Sequence, residues 1–91
     1  MFALTRLRVR EEDAEELATS CAALLEALAT RPGFLDAELG RAADDPTLWA
    51  VLTRWDGVGS YRRALSAAEV KIAGAPVWVH AVDEPGVYIV D

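Results

Sequence analysis

The stretch L-W-A-V-L-T-R-W, from Leu48 to Trp55, alternates like a β-strand, yet both of its faces are largely apolar. The residues of one face are Trp49, Val51, Thr53 and Trp55, and those of the other are Leu48, Ala50, Leu52 and Arg54. A strand of this kind needs helices over one face and a second covering over the other. The flanking sequence must therefore supply the helices and indicate what covers the second face.

A hairpin partner precedes this strand. Leu35 to Ala42 reads as a second strand, and Asp44-Asp45-Pro46 is typical of the turn that joins two antiparallel strands. Upstream of it, Arg31-Pro-Gly-Phe34 predicts a forced turn, because proline cannot continue a helix and glycine accepts a left-handed exit.

A strand and a helix are predicted before that turn. Phe2 to Val9 alternates as a first strand, and a helix is expected from Asp13, with Asp13 and Glu16 as a capping box. One helix face is apolar at i, i+3, i+4 and i+7 spacing. Its residues are Ala14, Leu17, Ala18, Cys21, Leu24, Leu25 and Leu28.

The C-terminal third predicts a second helical region and a last strand. Asp56 is the expected N-cap of a helix from Val58 through roughly residue 73, with a break near Ser66. Pro76 is expected to end or kink that helix, and the residues from there to Val82 are either a helical turn or an extended arm. Val87 to Val90 reads as a fourth strand after an Asp-Glu-Pro-Gly turn.

The resulting order, β-α-β-β-α-β, is that of an α+β ferredoxin-like sandwich with helices on one sheet face. The other face would expose apolar side chains to water, such as Phe2 and Leu4 on the first strand, with either the Leu48 face or the alternate face of the third strand. Pairing two such sheets face to face covers them. We therefore expect a homodimer in which these two sheet faces meet.

The composition indicates a globular protein. The 91 residues predict a single domain, residues 1–91, with 53% hydrophobic and 26% charged residues. A net charge of −6 argues against nucleic-acid and anionic membrane partners. No signal peptide or membrane span is visible, and the lone Cys21 cannot form an internal disulfide, so we expect a cytoplasmic protein.

Few residues offer cofactor chemistry. Gly57-Val-Gly59 has the start of a dinucleotide loop, but Arg62 stands at the third glycine position. His80 has no second histidine to share a metal with, and Cys21 falls in the apolar helix stripe. We therefore expect no metal, haem or flavin cofactor.

The remaining candidates are Trp55, Tyr61 and Lys71. Trp55 ends the third strand, Tyr61 begins the helix that follows it, and Lys71 lies two to three turns further along that helix. They could line one cavity between sheet and helices and offer a ligand the polar groups of their side chains. The alternative is that both aromatic residues belong to the core. The pattern alone leaves both interpretations open.

Several segments resemble the antibiotic biosynthesis monooxygenase (ABM) domain family, an oxidoreductase family, over nearly the whole chain. The segments are Arg31-Pro-Gly-Phe-Leu35, Glu38-Leu-Gly-Arg41, Asp44-Asp-Pro-Thr-Leu-Trp49, Thr53-Arg-Trp-Asp56 and Ser60-Tyr-Arg62. The resemblance implies a ferredoxin-like homodimer whose sheets close a dimeric α/β barrel. It also implies a small aromatic substrate bound between sheet and helices.

Residue roles follow from the resemblance to the cofactor-free, quinone-forming members. It implies catalytic roles for Tyr61 and Lys71 and substrate-binding roles for Trp55, Val51 and Thr53. Val51 stands where those members have an asparagine, and the chain has no asparagine at all. Haem-degrading members need an asparagine too, and the positions of their helical Trp and His correspond here to Ala64 and Gly74.

Two functions are therefore expected. One is a cofactor-independent monooxygenase acting on an electron-rich aromatic of the phenol or hydroquinone type. The other is a non-catalytic small-molecule-binding or scaffold dimer of the same fold.

Overall fold

The fold is a four-stranded antiparallel sheet with helices on one face, seen in a computed structural model that describes residues 1–91. The strands are β1 (Phe2–Arg8), β2 (Phe34–Arg41), β3 (Leu48–Trp55) and β4 (Val87–Tyr88). The helices are α1 (Ala14–Ala29), α2 (Val58–Ser66) and α3 (Ala68–Trp78), with a 3₁₀ turn at Glu11–Asp13. The sheet order β2-β3-β1-β4 confirms the predicted ferredoxin-like α+β fold. No helix has the length and apolarity needed to span a bilayer.

The strand β3 lies in the sheet interior with the predicted bounds. It pairs with β1 on one side, where Leu4 faces Leu52, and with β2 on the other, where Leu39 faces Val51. Its Val51, Thr53 and Trp55 side chains are buried beneath the helices. The buried residues of α1 are Leu17, Cys21, Leu24 and Leu28, which confirms the predicted apolar face.

The beginning of α1 differs from the predicted capping box. Asp13 is the N-cap residue but its side chain makes no capping hydrogen bond. Its carboxylate instead accepts a hydrogen bond from Arg10 Nε at 3.1 Å. Arg10 and Asp13 are three residues apart, and the 3₁₀ turn between them brings their side chains into contact. This ion pair takes the place of the capping hydrogen bond.

The turn before β2 requires its glycine. Gly33 has a φ of +89°, and a Cβ there would collide with the Ser60 side chain. The Gly33 carbonyl accepts a hydrogen bond from the Asp56 backbone N–H at 2.9 Å. This close approach fixes the turn against the beginning of α2.

The N-cap of α2 is Gly57, so the prediction of Asp56 at that position was wrong. The Asp56 carboxylate accepts a hydrogen bond from the Ser60 hydroxyl at 2.6 Å and no backbone N–H. It therefore ties down the first turn of the helix through a side chain.

The predicted break near Ser66 is confirmed, whereas Pro76 does not end the helix. Ala67 is extended, with ψ of 137°, and separates α2 from α3. α3 then continues past Pro76 to Trp78. Because proline has no backbone N–H, the carbonyl four residues earlier, that of Ile72, lacks its helical hydrogen bond. Ile72 is 76% exposed. Water can satisfy a carbonyl at such a surface position.

The last strand is shorter than predicted. β4 pairs with β1 only at Tyr88 and Val87, opposite Phe2 and Ala3. Ile89 and Val90 continue beyond it as exposed apolar residues. A separate bridge joins Ala81 to Leu7, so the chain between residues 81 and 87 runs along the edge of β1.

The sheet face opposite the helices has no covering element within the chain. Its apolar side chains are half-exposed, and Phe2 stacks on Tyr88 with ring centroids 5.0 Å apart. The register places Phe2, Leu4, Leu48, Ala50 and Leu52 on this face. We call these five residues the outer patch.

Candidate functional site

A cavity of about 490 Å³ lies between β1, the two C-terminal helices and the segment before β4. Its apolar lining residues are Tyr61, Leu65, Val70, Trp78, Ala81 and Val82, and its polar ones are Thr5, Lys71 and Glu84. A mainly apolar cavity of this size with a few polar groups is typical of small-molecule sites.

Tyr61 is placed on the cavity wall by the beginning of α2. Its backbone N–H donates to the carbonyl of Gly57 at 3.3 Å, which starts the helix. Its ring packs against Trp55, with centroids 5.7 Å apart, and Trp55 in turn meets Phe34 edge-to-face at 5.3 Å. Burial raises the pKa of the Tyr61 phenol above its usual value of 10.0. At neutral pH the hydroxyl is therefore a hydrogen-bond donor and a poor base.

Lys71 contributes the cationic group of the wall. It lies in the first turn of α3, just after the break at Ala67, and its side chain is exposed. None of the ion pairs of the chain includes Lys71. Its charge is thus available to a ligand in the cavity.

Trp55, Thr53 and Val51 lie behind the cavity wall. Trp55 is 1% exposed, and its indole N–H donates to the Thr53 hydroxyl at 2.8 Å. Val51 and Thr53 are buried as well, and none of the three lines the cavity. The structure brings Tyr61 and Lys71 together at one cavity and places the other three predicted site residues in the layer beneath.

Seven of the nine lining residues were not predicted from the sequence, among them Thr5, Trp78 and Glu84. Thr5 belongs to the first strand, and only the sheet register places it at the cavity. Trp78 follows Gly74 by one helical turn, and a Cβ at Gly74 would collide with its indole nitrogen. The G-x-x-x-W spacing could have indicated this contact, but only if the helix had been predicted to continue past Pro76 to Trp78.

Glu84 reaches the cavity from the segment before β4. Its carboxylate forms a two-point ion pair with Arg6, with distances of 2.7 Å from Nε and 2.5 Å from Nη2. Arg6 lowers the pKa of Glu84 and Glu84 raises that of Arg6, mainly through these hydrogen bonds. The Glu84 carboxylate is therefore ionised at neutral pH and already paired.

Metal ligands are not gathered at this or any other place. No group of three or more His, Cys, Asp or Glu side chains is arranged to hold a metal ion. The buried Cys21 thiol belongs to the core, where burial raises its pKa.

Comparison with known proteins assigns the family. The sequence profile described as "Antibiotic biosynthesis monooxygenase" (ABM) matches residues 1–74. The chain belongs to this family. No curated protein matches its sequence.

Solved structures with the same fold are distant in sequence. SnoaB, a cofactor-independent oxygenase from Streptomyces nogalater, is 18% identical with a TM-score of 0.84, covering 99% of this chain and 91% of its own. A conserved protein from Methanosarcina mazei Go1 is 19% identical with a TM-score of 0.77, covering 94% and 84%. At these identities the similarity establishes the ABM fold only, and the chemistry has to be inferred from the residues of the site.

Proposed function

We propose that this chain is a cofactor-independent monooxygenase acting on an electron-rich aromatic small molecule of the phenol or hydroquinone type. The observation that carries the proposal is the pairing of Tyr61 and Lys71 on the wall of a mainly apolar cavity of about 490 Å³. Membership of the ABM family supports the reaction class. The description of SnoaB as a cofactor-independent oxygenase supports it further.

Tyr61 and Lys71 have complementary roles in this proposal. An aromatic ligand would lie against the apolar wall with its oxygen toward these two side chains. The protonated Tyr61 hydroxyl donates a hydrogen bond to that oxygen, and the Lys71 ammonium stabilises the phenolate. Trp55, held by its bond to Thr53, supports the Tyr61 ring from behind, and Val51 fills the same buried layer.

The chemistry then needs only dioxygen as a co-reactant. The bound phenolate passes one electron to O2, and the resulting aryloxyl radical and superoxide combine through a C–O bond to a peroxide. Proton loss from that carbon with cleavage of the O–O bond releases hydroxide and leaves a carbonyl. In sum a CH2 group of an anthrone and O2 give C=O and water. The protein binds the substrate, stabilises the anion and shields the intermediates.

A second copy of the chain is the proposed partner at the outer patch. The five apolar residues there are only half-covered, and a sheet face of this kind is buried in a symmetric dimer when two copies meet. The ABM fold supports this homodimer and the barrel that it would close.

We also propose that residues 1–91 act as one ferredoxin-like domain in the cytoplasm. The single Cys21 is buried as a free thiol, which suits a reducing compartment.

One observation favours a second function, a non-catalytic binding dimer. The chain contains no asparagine or glutamine, so no side-chain amide can donate to the substrate. A cavity with Tyr61 and Lys71 would still bind an aromatic anion without promoting its oxidation.

Oxygen uptake distinguishes the two functions. Anthrone or a naphthohydroquinone is supplied with a metal chelator and no added cofactor, and binding is measured in parallel with 2-naphthol. The monooxygenase predicts uptake above the uncatalysed rate that falls in Tyr61→Phe and Lys71→Ala. Binding without uptake supports the binding dimer, and absence of both removes the cavity as a site.

A further inference from the structure

The outer wall of the cavity is a short segment with little backbone support. Residues 82–86, here called the strap, join the Ala81 bridge to β4 along the edge of β1. Backbone hydrogen bonds hold only its ends: the Val82 N–H donates to the Arg6 carbonyl at 2.9 Å, and the Gly86 carbonyl accepts from the Leu4 N–H at 2.7 Å. Residues 83–85 make no backbone hydrogen bond to the strand.

A side chain from the opposite sheet face holds the middle of the strap. Arg6 is paired in register with Ala50, so it lies on the face away from the helices. Its guanidinium binds both carboxylate oxygens of Glu84, which itself lines the cavity. The other contact is weaker, a 3.4 Å bond from the Tyr88 hydroxyl to the Pro85 carbonyl.

We infer that Arg6 is a positioning residue of the cavity, which holds Glu84 and the strap in place as the wall that retains the ligand. The inference rests on the proposed function for its ligand and on the Arg6–Glu84 geometry for its mechanism. A two-point guanidinium–carboxylate pair fixes direction as well as distance. Val82 and Glu84 of the strap belong to the cavity lining, so displacement of the strap opens the cavity along that side.

Arg6 also sets the charge that a ligand meets. While Arg6 neutralises Glu84, Lys71 is the uncompensated charge of the lining, which favours an anionic ligand oxygen. Without Arg6, the Glu84 carboxylate is free to turn toward Lys71 in the same cavity. Loss of Arg6 therefore weakens retention of a phenolate both by loosening the wall and by cancelling its charge.

The chain provides a matched control. Arg8 lies on the same strand and the same face, and it forms an ion pair with Asp45 at 2.6 Å. Neither Arg8 nor Asp45 lines the cavity. Arg6→Gln and Arg8→Gln thus each remove one positive charge from the same face of β1, but only Arg6→Gln removes an ion pair with the strap.

Amide hydrogen exchange tests the inference without any ligand. In Arg6→Gln the Val82 amide is expected to exchange about threefold to fivefold faster than in the wild type, and in Arg8→Gln at the wild-type rate. The charge-reversed double variant Arg6→Glu/Glu84→Arg should restore the slow rate, which a loss of packing alone would not do. Equal Val82 rates in Arg6→Gln and Arg8→Gln, or no restoration in the double variant, overturn the inference.

Dissociation of 2-naphthol provides the second readout. We expect the dissociation rate of 2-naphthol to be several-fold higher from Arg6→Gln than from the wild type, and unchanged from Arg8→Gln. If the wild type binds no 2-naphthol, the proposed function fails, while the Val82 exchange rates still decide the role of Arg6. If 2-naphthol binds and leaves both variants alike, the role of Arg6 fails and the proposed site stands.

Discussion

The two faces of the sheet differ in what covers them, although both are apolar on β3. Under the helices, Trp55 is buried and the one polar atom of its side chain donates a hydrogen bond to Thr53. On the other face, Leu52 of the same strand stays half-exposed between Leu4 and Glu38 of its neighbours. The covered face therefore stabilises the fold and supports the cavity, whereas the outer face has no covering element within the chain and is the surface of the proposed dimer.

Truncation on the covered face should have the largest effect. Trp55→Ala removes a side chain that contacts Phe34 and Tyr61 and leaves a cavity in the core. We expect the free energy of unfolding to fall by about 3–5 kcal/mol, measured by urea unfolding. Leu35→Ala is the control, since Leu35 is 63% exposed, and should stay within about 0.5 kcal/mol. Similar losses for both variants would contradict the contrast between the faces.

A charge on the outer patch should break the assembly and leave the fold. In Leu52→Arg, two like charges meet across the proposed symmetric interface, so the dissociation constant of the dimer should rise at least about tenfold. Light scattering across the micromolar range measures it. Thr19→Arg, at an exposed position of α1, adds the same charge elsewhere and should leave the mass unchanged. A wild type that is already monomeric at these concentrations rules out the dimer.

Removal of one hydroxyl from the cavity should affect binding and not stability. Tyr61→Phe keeps the ring contact with Trp55, so the free energy of unfolding should change by less than about 1 kcal/mol. Affinity for 2-naphthol, measured by calorimetry, should drop about fivefold to tenfold because a hydrogen bond to the ligand is lost. Thr19→Val removes a hydroxyl at an exposed position of α1, outside the cavity, and should bind normally. A change in melting alone would mean that Tyr61 is only a core residue.

Acid should remove the small contribution of the Asp45 carboxylate to the stability of the fold, at the edge of the outer face. Bonds from Thr47 and Arg8 lower the pKa of Asp45 from 3.8 to about 2, so this group stabilises the fold above pH 4. The stabilisation is lost as pH falls from about 4 to 2. The difference in Tm between wild type and Asp45→Asn should therefore shrink over that interval. A difference that stays constant with pH would show that the carboxylate charge does not contribute.

Local patterns predicted most of the fold. Alternation set β3 from Leu48 to Trp55, and Gly33 marked the turn, because both depend on neighbouring residues. That the helix does not end at Pro76 could not be predicted, because the cost of the proline depends on exposure of the helix surface around Ile72, which a one-dimensional pattern does not contain.

The site was less predictable than the fold. Tyr61 and Lys71 were found from the strand-to-helix turn and the family resemblance, and both lie on the cavity wall. Trp55 carried the same signal but lies behind the wall, because strand pleating turns it into the core. Glu84 depends on an ion pair with a residue 78 positions away, which spacing alone cannot predict.

The most direct test of this account is the location of the ligand relative to the two faces. Amide chemical shifts of the protein are followed by NMR during titration with 2-naphthol. We predict that the shifts concentrate at Thr5, Lys71 and Ala81, which line the cavity, and leave Leu48 and Ala50 of the outer patch unchanged. Shifts centred on the outer patch, or no shifts at saturating 2-naphthol, would contradict the assignment of the cavity as the binding site.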